Sequence, residues 1–175
     1  MELGKIIANR LPDHAIVSDE GATNGLAAFL LTANAAPHDW LTLTGGAIGQ
    51  GLPLAVGAAV ACPDRKVLAL EADGSAMYTV QSLWTMVRED LDVTVLILNN
   101  GSYAILNIEL ARVGVEKPGP TALSLLDLTN PEIKWVDIAI GMGMQAERVD
   151  TVEALDAAMA TAMTEKGPRL IEVML

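Results

Sequence analysis

The stretch that decides the fold runs from Lys66 to Ser102 and reads KVLALEADGSAMYTVQSLWTMVREDLDVTVLILNNGS. It contains two apolar runs, 66–72 and 93–98, each as long as a strand and rich in Val, Leu and Ile without polar alternation. Such runs are typical of strands buried on both faces, as in a parallel sheet. Between them, apolar residues recur at helical spacing: Met77, Val80, Leu83, Trp84 and Val87. The stretch therefore predicts a β-α-β unit.

Small polar residues follow both predicted strands: Asp73-Gly74-Ser75 after the first, and Asn99-Asn100-Gly101 after the second. Neighbouring parallel strands lie about 4.8 Å apart, so Asp73 and Asn100 are predicted side by side at the carboxyl edge, where open α/β sheets bind ligands. A carboxylate and an amide oxygen there suit Mg²⁺. The Gly74 and Ser75 amides open the helix, which Ser75 can cap, and they favour an anion. The predicted ligand is a metal-bound diphosphate.

This pair of motifs resembles the thiamine diphosphate signature of the pyruvate decarboxylase, acetolactate synthase and benzoylformate decarboxylase superfamily. The resemblance runs from about Val17 to Val173 and implies the C-terminal diphosphate-binding domain. That domain has a three-layer α/β/α fold with a mostly parallel, roughly six-stranded, doubly wound sheet. The implied cofactors are thiamine diphosphate and Mg²⁺, and the implied metal ligands are Asp73, Asn100 and the backbone carbonyl of Ser102.

The remaining cofactor contacts are implied by the same resemblance. The family usually has Gly where this chain has Ala72, whose methyl group could crowd the diphosphate. Diphosphate-binding hydroxyls are expected after the first strand, predicted over 15–18; Ala22 has none, so Thr23 takes this role, with Asn24 as a weaker candidate. Helix capping is the alternative for Asn24. The other contacts after the Asp73 and Asn100 strands are Ala72, Gly74, Ser75, Gly101 and Tyr103.

A glycine-rich segment, 45–51, follows a predicted strand over 40–44, and its four glycines allow the backbone to approach a ligand closely. Its implied cofactor contacts are Gly46, Ala47 and Ile48. The resemblance implies that the Gly46 carbonyl accepts a hydrogen bond from the aminopyrimidine and that Ile48 wedges between the cofactor rings. The alternative for Ile48 is an ordinary core position beside a tight turn.

The rest of the chain continues the alternation, with a helix over 103–112, a loop over 115–130, a helix over 135–144, a strand over 145–149, a helix over 152–165 and a strand over 169–174. The long loop is predicted to be a lid or a partner-facing segment. Leu106 stands where pyruvate decarboxylases have a catalytic Glu, and in this it resembles benzoylformate decarboxylase. His14 and His38 precede strands, so both are expected at the amino edge in structural roles.

Composition narrows the class of protein. The 175 residues, 51% of them hydrophobic, fit one domain over 1–175. A net charge of -11 without a basic cluster argues against a nucleic-acid or anionic-membrane partner. A single Cys and the lack of a signal-peptide pattern favour the cytoplasm. No run reaches the ~18 consecutive apolar residues of a membrane span.

The resemblance also implies a catalytic Glu at the pyrimidine N1′, contributed by a separate pyrimidine-binding domain. None of the acidic residues of this chain fits that role, so we expect no catalytic residue here and no turnover without a pyrimidine-binding domain or subunit. The complete enzyme is expected to be an oligomeric decarboxylase or carboligase acting on a small 2-oxo acid. Two alternatives stay open: a degenerate cofactor-binding or assembly module, and an unrelated doubly wound nucleotide binder, which the lack of GxGxxG after the first strand disfavours.

Overall fold

The computed structural model describes residues 2–115 and 117–175 and contains a six-stranded, all-parallel sheet between two layers of helices. Its strands are β1 (Ile16–Glu20), β2 (Asp39–Thr42), β3 (Val67–Ala72), β4 (Val93–Asn99), β5 (Gln145–Val149) and β6 (Arg169–Met174). Their order across the sheet is β2-β1-β3-β4-β6-β5. The predicted fold class is confirmed, and β5 and β6 have the predicted bounds.

In the described residues, nine α-helices and three short 3₁₀ turns accompany these strands; the first helix precedes β1 and the others lie between strands. The helices are α1 (Glu2–Arg10), α2 (Gly25–Leu31), α3 (Gly51–Ala61), α4 (Asp73–Ala76), α5 (Ser82–Arg88), α6 (Ala104–Arg112), α7 (Pro120–Ser124), α8 (Trp135–Gly141) and α9 (Val152–Thr164). The 3₁₀ turns cover Thr32–Asn34, Thr44–Gly46 and Met77–Thr79. Within 2–115 and 117–175, no helix has the length and apolar character needed to cross a membrane.

Both faces of the sheet are buried, because successive side chains of a strand point to opposite faces and both sets are apolar. On one face, α1, α2 and α9 pack over a core that includes Val17, Leu68, Leu70, Leu96 and Ile171. On the other face, α3, α5 and α8 pack over a core that includes Ile16, Val67, Ala69, Val95 and Ile97. This explains the continuous apolar runs that the sequence shows at β3 and β4.

The chain changes direction across the sheet between β1 and β3. After β1 it proceeds outward to the edge strand β2, and after β3 it proceeds the other way, through β4 to β6 and β5. The connections that leave the carboxyl ends of β1 and β3 therefore diverge. Such a switch point leaves a crevice in which open α/β sheets bind ligands.

The connection between β3 and β4 differs from the predicted single helix. It consists of α4, the 3₁₀ turn and α5, and the break rotates the buried face, so that Met77 and Trp84 are 42% and 51% exposed. Leu83, which belongs to the predicted face, is buried in the core together with Met86. The predicted cap by Ser75 is wrong, because Ala72 precedes the helix and the Ser75 hydroxyl donates back to its carbonyl, at 3.1 Å.

The predicted loop over 115–130 contains α7, and Glu116 lies outside the described residues. The later part of the segment is bound to the turn that follows β4. The Tyr103 N–H donates to the Leu126 carbonyl and the Leu128 N–H donates to the Gly101 carbonyl, both at 2.9 Å. This part of the segment supports the turn after β4.

Candidate cofactor and metal site

A cavity of about 380 Å³ opens at the switch point, at the carboxyl ends of β1 to β4. Its walls come from the four turns that leave these strands. The predicted site residues that line it are Thr23, Gly46, Ile48, Ala72, Asp73, Gly74, Ser75, Asn100, Ser102 and Tyr103. Four separate parts of the sequence thus contribute to one cavity, which the parallel sheet brings together.

Asp73 lies directly after β3 and is 1% exposed. Its Oδ1 accepts a hydrogen bond from the Gly74 N–H at 3.0 Å, and its Oδ2 accepts one from the Gly101 N–H at 2.8 Å. Burial raises the pKa of the Asp73 carboxyl above its ordinary value, and the backbone hydrogen bonds from Gly74 and Gly101 oppose that rise. A cation at Asp73 would favour the ionised carboxylate.

Asn100 and Ser102 lie in the turn after β4, the strand that pairs with β3 in parallel. The Asn100 Oδ1 accepts a hydrogen bond from the Ser102 N–H at 2.9 Å, and the Ser102 carbonyl accepts one from the Ala104 N–H at 2.8 Å. Carbonyl oxygens have two lone pairs, so each of these retains a further acceptor site. The predicted neighbourhood of Asp73 and Asn100 is present, since both line the same cavity.

The oxygen atoms available here suit a hard cation that keeps part of its hydration shell. Among the residues that the structure describes, no three His, Cys, Asp or Glu side chains are grouped so as to hold a metal ion. A metal at this corner would depend on one carboxylate, one amide oxygen and one backbone carbonyl. Magnesium binds through few protein oxygens and completes its shell with water and phosphate oxygens, so this sparse set suits it.

Gly46 and Ile48 also line the cavity. Gly46 has a φ of +68°, in the left-handed region that favours glycine, and no atom lies within 4 Å of the position of an added Cβ. The Ile48 side chain is 48% exposed and lines the cavity. The core alternative for Ile48 is therefore wrong, because this large apolar side chain faces open space.

A glycine is needed at position 74 to leave room for a neighbouring side chain, and not to bind an anion. A Cβ at Gly74 would lie 2.4 Å from Cε1 of Tyr103, whose ring packs against the start of α4. The Gly74 N–H already donates to Asp73, and α4 has only four residues, so the helix offers an anion less than the sequence suggests. Burial raises the pKa of the Tyr103 hydroxyl, which favours the neutral phenol.

Three predicted contacts do not line this cavity. Asn24 lines a separate cavity beside α1 and α9, and its side chain makes no capping hydrogen bond to α2. Ala47 is exposed to solvent. Gly101 acts indirectly, because its N–H holds Asp73; its φ is +65°, and a Cβ there would lie 2.9 Å from Cγ2 of Thr129.

Glu20 is an acidic residue of the cavity wall that sequence reasoning missed. It ends β1, is 2% exposed and lines the cavity. Its two carboxylate oxygens accept hydrogen bonds from the Gly49 and Gly51 N–H groups, both at 2.5 Å, and so hold the glycine-rich segment. Its position at the end of β1, directly before the turn with Thr23, was the available signal.

Ala72 has φ −76° and ψ 145°, an extended conformation open to any residue, so the backbone does not demand the family glycine. Its methyl group belongs to the cavity wall. Leu106 lies on α6 away from this cavity, and it is 45% exposed. His14 and His38 precede β1 and β2 at the amino edge, as predicted.

Comparison with known proteins identifies the family. The family described as thiamine pyrophosphate enzyme, C-terminal TPP binding domain, matches residues 19–173. The chain belongs to this family. Thiamine pyrophosphate is another name for thiamine diphosphate, so the resemblance seen in the sequence motifs is confirmed.

The chain has relatives among acetolactate synthases and decarboxylases. It is 56% identical over 171 residues to "Putative acetolactate synthase large subunit IlvX" of Mycobacterium tuberculosis, covering 97% of this chain and 33% of the relative. It is 35% identical over 138 residues to benzoylformate decarboxylase of Pseudomonas aeruginosa, covering 78% of this chain and 25% of that protein. The chain thus spans a third or less of the length of these relatives.

A solved structure shows the same fold. The thiamine diphosphate-dependent 4-hydroxybenzoylformate decarboxylase of Rhodococcus jostii RHA1 superposes with a TM-score of 0.87 at 32% identity, over 99% of this chain and 32% of that one. This chain therefore corresponds to one domain of larger enzymes. Its site residues lie in the turns that this fold brings together.

Proposed function

We propose that this chain binds the Mg²⁺-diphosphate end of thiamine diphosphate as the C-terminal domain or subunit of an oligomeric 2-oxo acid decarboxylase or acetolactate synthase-like carboligase. One observation carries the proposal: Asp73, Asn100 and Ser102 leave two adjacent strands and line one corner of the switch-point cavity. Their oxygens would hold Mg²⁺, and the cation would neutralise the diphosphate in a chain of net charge -11.

The remaining walls match the rest of the cofactor. Thr23 and Ser75 carry hydroxyl groups on the diphosphate side. The space around Gly46 is open, and its carbonyl would accept a hydrogen bond from the aminopyrimidine. Ile48 would pack against the cofactor rings. When bound, thiamine diphosphate supplies the electron sink that breaking the bond between the carboxylate and the carbonyl carbon of a 2-oxo acid requires. The residues of this chain bind and orient the cofactor.

A second domain must supply the acid at the pyrimidine N1′. Glu20 and Asp73 are the acidic side chains in the described wall of the cavity, and both are engaged, Glu20 by two backbone N–H groups and Asp73 by Gly74 and Gly101. The domain over 1–175 would therefore act with a pyrimidine-binding domain or subunit. Alone it is expected to bind cofactor without turnover.

Thermal unfolding tests the binding proposal. Thiamine diphosphate with Mg²⁺ should raise the melting temperature, because a ligand that binds only the folded state stabilises it, and EDTA should reverse the rise. Asp73→Ala and Asn100→Ala should each abolish the metal-dependent rise, whereas Asp13→Ala and Asn34→Ala, at exposed positions away from the cavity, should retain it. A rise with NAD alone, or a retained rise in both site variants, would contradict the proposal.

A degenerate module without catalysis is the second candidate, and Ala72 is the observation that favours it. Its methyl group stands in the cavity wall where the family usually has glycine. Ala72→Gly should increase the metal-dependent rise if the methyl group crowds the diphosphate. Release of carbon dioxide from pyruvate or benzoylformate with a pyrimidine-domain partner would reject this second candidate, and no release with any partner would favour it.

A further inference from the structure

A chain of hydrogen bonds crosses the sheet from its exposed edge to the turn after β4. Arg148 on β5 donates to Glu172 on β6 in a bidentate pair, from Nε to Oε2 at 2.9 Å and from Nη2 to Oε1 at 3.0 Å. Asn99 at the end of β4 donates from Nδ2 to the Glu172 Oε1 at 2.7 Å. Glu172 is 0% exposed, so its carboxylate depends on these two partners for the hydrogen bonds that water would otherwise provide.

The Glu172 carboxylate determines which way the Asn99 amide faces. An ionised carboxylate can only accept, so the NH₂ group of Asn99 must point toward Glu172 and the Oδ1 must point the other way. That oxygen accepts a hydrogen bond from the Gly101 N–H at 3.0 Å. With the amide reversed, its NH₂ group would meet the Gly101 N–H, and two donors would face each other.

The Gly101 N–H joins the two sides of the predicted metal site. It is shared between the Asn99 Oδ1 and the Asp73 Oδ2, at 3.0 and 2.8 Å. Asp73 follows β3, whereas Asn100 adjoins Gly101 in the turn after β4. One N–H group therefore links the Asp73 carboxylate to the turn that carries the Asn100 amide.

We propose that Glu172 is a positioning residue that acts through Asn99 to fix the turn from Asn100 to Ser102 against Asp73. Its effect on metal binding rests on the proposed function, whereas its hold on the turn does not. A buried pair of arginine and carboxylate contributes little net stability compared with apolar side chains of the same size. The consequence of Glu172 is therefore expected in the orientation of the turn.

The test compares Glu172→Met, which removes the acceptor at similar size, with the more conservative Glu172→Gln. The control is Asp156→Asn, which weakens a bidentate pair with Arg10 between α9 and α1, outside the site. Amide hydrogen exchange is measured by NMR on the full chain without cofactor or metal, as the ratio of the Gly101 rate to the Leu96 rate. Global destabilisation raises both rates, so the ratio isolates the turn.

In Glu172→Met the ratio should rise about tenfold, the loss expected for a hydrogen bond to a charged group. Glu172→Gln should show a smaller rise, because its carbonyl oxygen can still accept from Asn99, and Asp156→Asn should show none. In an Asn99→Ala background, Glu172→Met should add nothing further, because the effect passes through Asn99. An unchanged ratio in both Glu172 variants, or a full additional rise in the Asn99→Ala background, would overturn the proposal.

The second measurement is the Mg²⁺ concentration that gives half of the thermal stabilisation by thiamine diphosphate. It should increase about tenfold in Glu172→Met and stay unchanged in Asp156→Asn. If the exchange ratio rises and this concentration does not, Glu172 holds the turn but does not position a metal ligand, and that part of the proposal fails. If the wild type shows no stabilisation, the proposed function fails, and the exchange ratio still decides the role of Glu172.

Discussion

Two glutamates on the same face of the sheet are equally buried but differ in their hydrogen-bond partners. Glu71 on β3 and Glu172 on β6 are both 0% exposed and lie in one cross-strand row, on either side of Ile97. Glu172 accepts hydrogen bonds from Arg148 and Asn99. Neither carboxyl oxygen of Glu71 has a hydrogen-bond partner in the described part of the chain, and its neighbour in the row is another acid, Glu20.

The difference lies in the neighbours of two carboxyl groups that are equally buried. Burial raises the pKa of Glu71 well above its ordinary value of 4.5, and the charges of Glu20 and Asp19 raise it further. The neutral acid is therefore favoured at Glu71. Glu172 forms an ion pair with Arg148 at 2.9 Å. Glu172 is thus paired with an opposite charge, whereas Glu71 is packed beside another acid, Glu20.

The largest expected effect comes from crowding Glu71. A Cβ at Gly51 would lie 2.1 Å from the Glu71 Oε1 and 2.8 Å from the Glu20 Cβ. Gly51→Ala should lower the free energy of unfolding by about 3 kcal/mol, because an overpacked site must shift its neighbours. Gly57→Ala is the matched control in the same helix, with no atom within 4 Å of the added Cβ. It should raise the free energy by about 0.5–1 kcal/mol through helix propensity, and urea unfolding measures both; equal effects would contradict the crowding.

Removing the partner of Glu172 should have the next largest effect. Arg148→Met leaves a buried carboxylate with Asn99 as its donor, and the free energy of unfolding should fall by about 2 kcal/mol. This is less than for a fully buried pair, because Arg148 is 42% exposed and water screens it. Urea unfolding at neutral pH measures the loss. Lys5→Met, which breaks the exposed pair with Glu2, is the control and should change little; a loss no larger than the control would mean that Glu172 does not need its charge partner.

The smallest effect is expected at Glu71 itself. Since its folded pKa is raised, the protonated group favours the folded state fully below pH 4.5, and that contribution is lost as the pH rises toward the folded pKa. Glu71→Leu should remove this pH-dependent loss of stability. At pH 8 its free energy of unfolding should exceed that of the wild type by about 1 kcal/mol. Urea unfolding at pH 5 and pH 8, in EDTA, measures the difference.

Glu71→Gln separates charge from polarity at the same position. Its free energy of unfolding should not fall between pH 5 and pH 8, as in Glu71→Leu. At pH 8 it should gain less stability than Glu71→Leu, because an unpaired amide remains buried. A wild-type stability that rises from pH 5 to pH 8 relative to both variants would show that Glu71 is ionised and paired in the folded protein.

The strands and the proximity of Asp73 and Asn100 were the predictable part. β5 and β6 were predicted with their bounds, and Asp73 and Asn100 were predicted as neighbours, because buried parallel strands are encoded by local apolar runs that end in polar residues. The helix after β3 was predicted less well. Its 3₁₀ break exposes Met77 and Trp84, and packing against α3, rather than local spacing, selects the buried face.

The residue pattern alone was sufficient for the family and the α/β class, and it predicted three metal-binding residues, since each depends on short motifs at strand ends. The roles of Glu20, Glu71 and Glu172 required the folded chain. As sequence they are three acids within apolar strand segments, and nothing local distinguishes them. Strand order places Glu20 beside Glu71 and Arg148 beside Glu172, and these long-range pairings decide which carboxyl holds a loop, which favours its proton and which orients a turn.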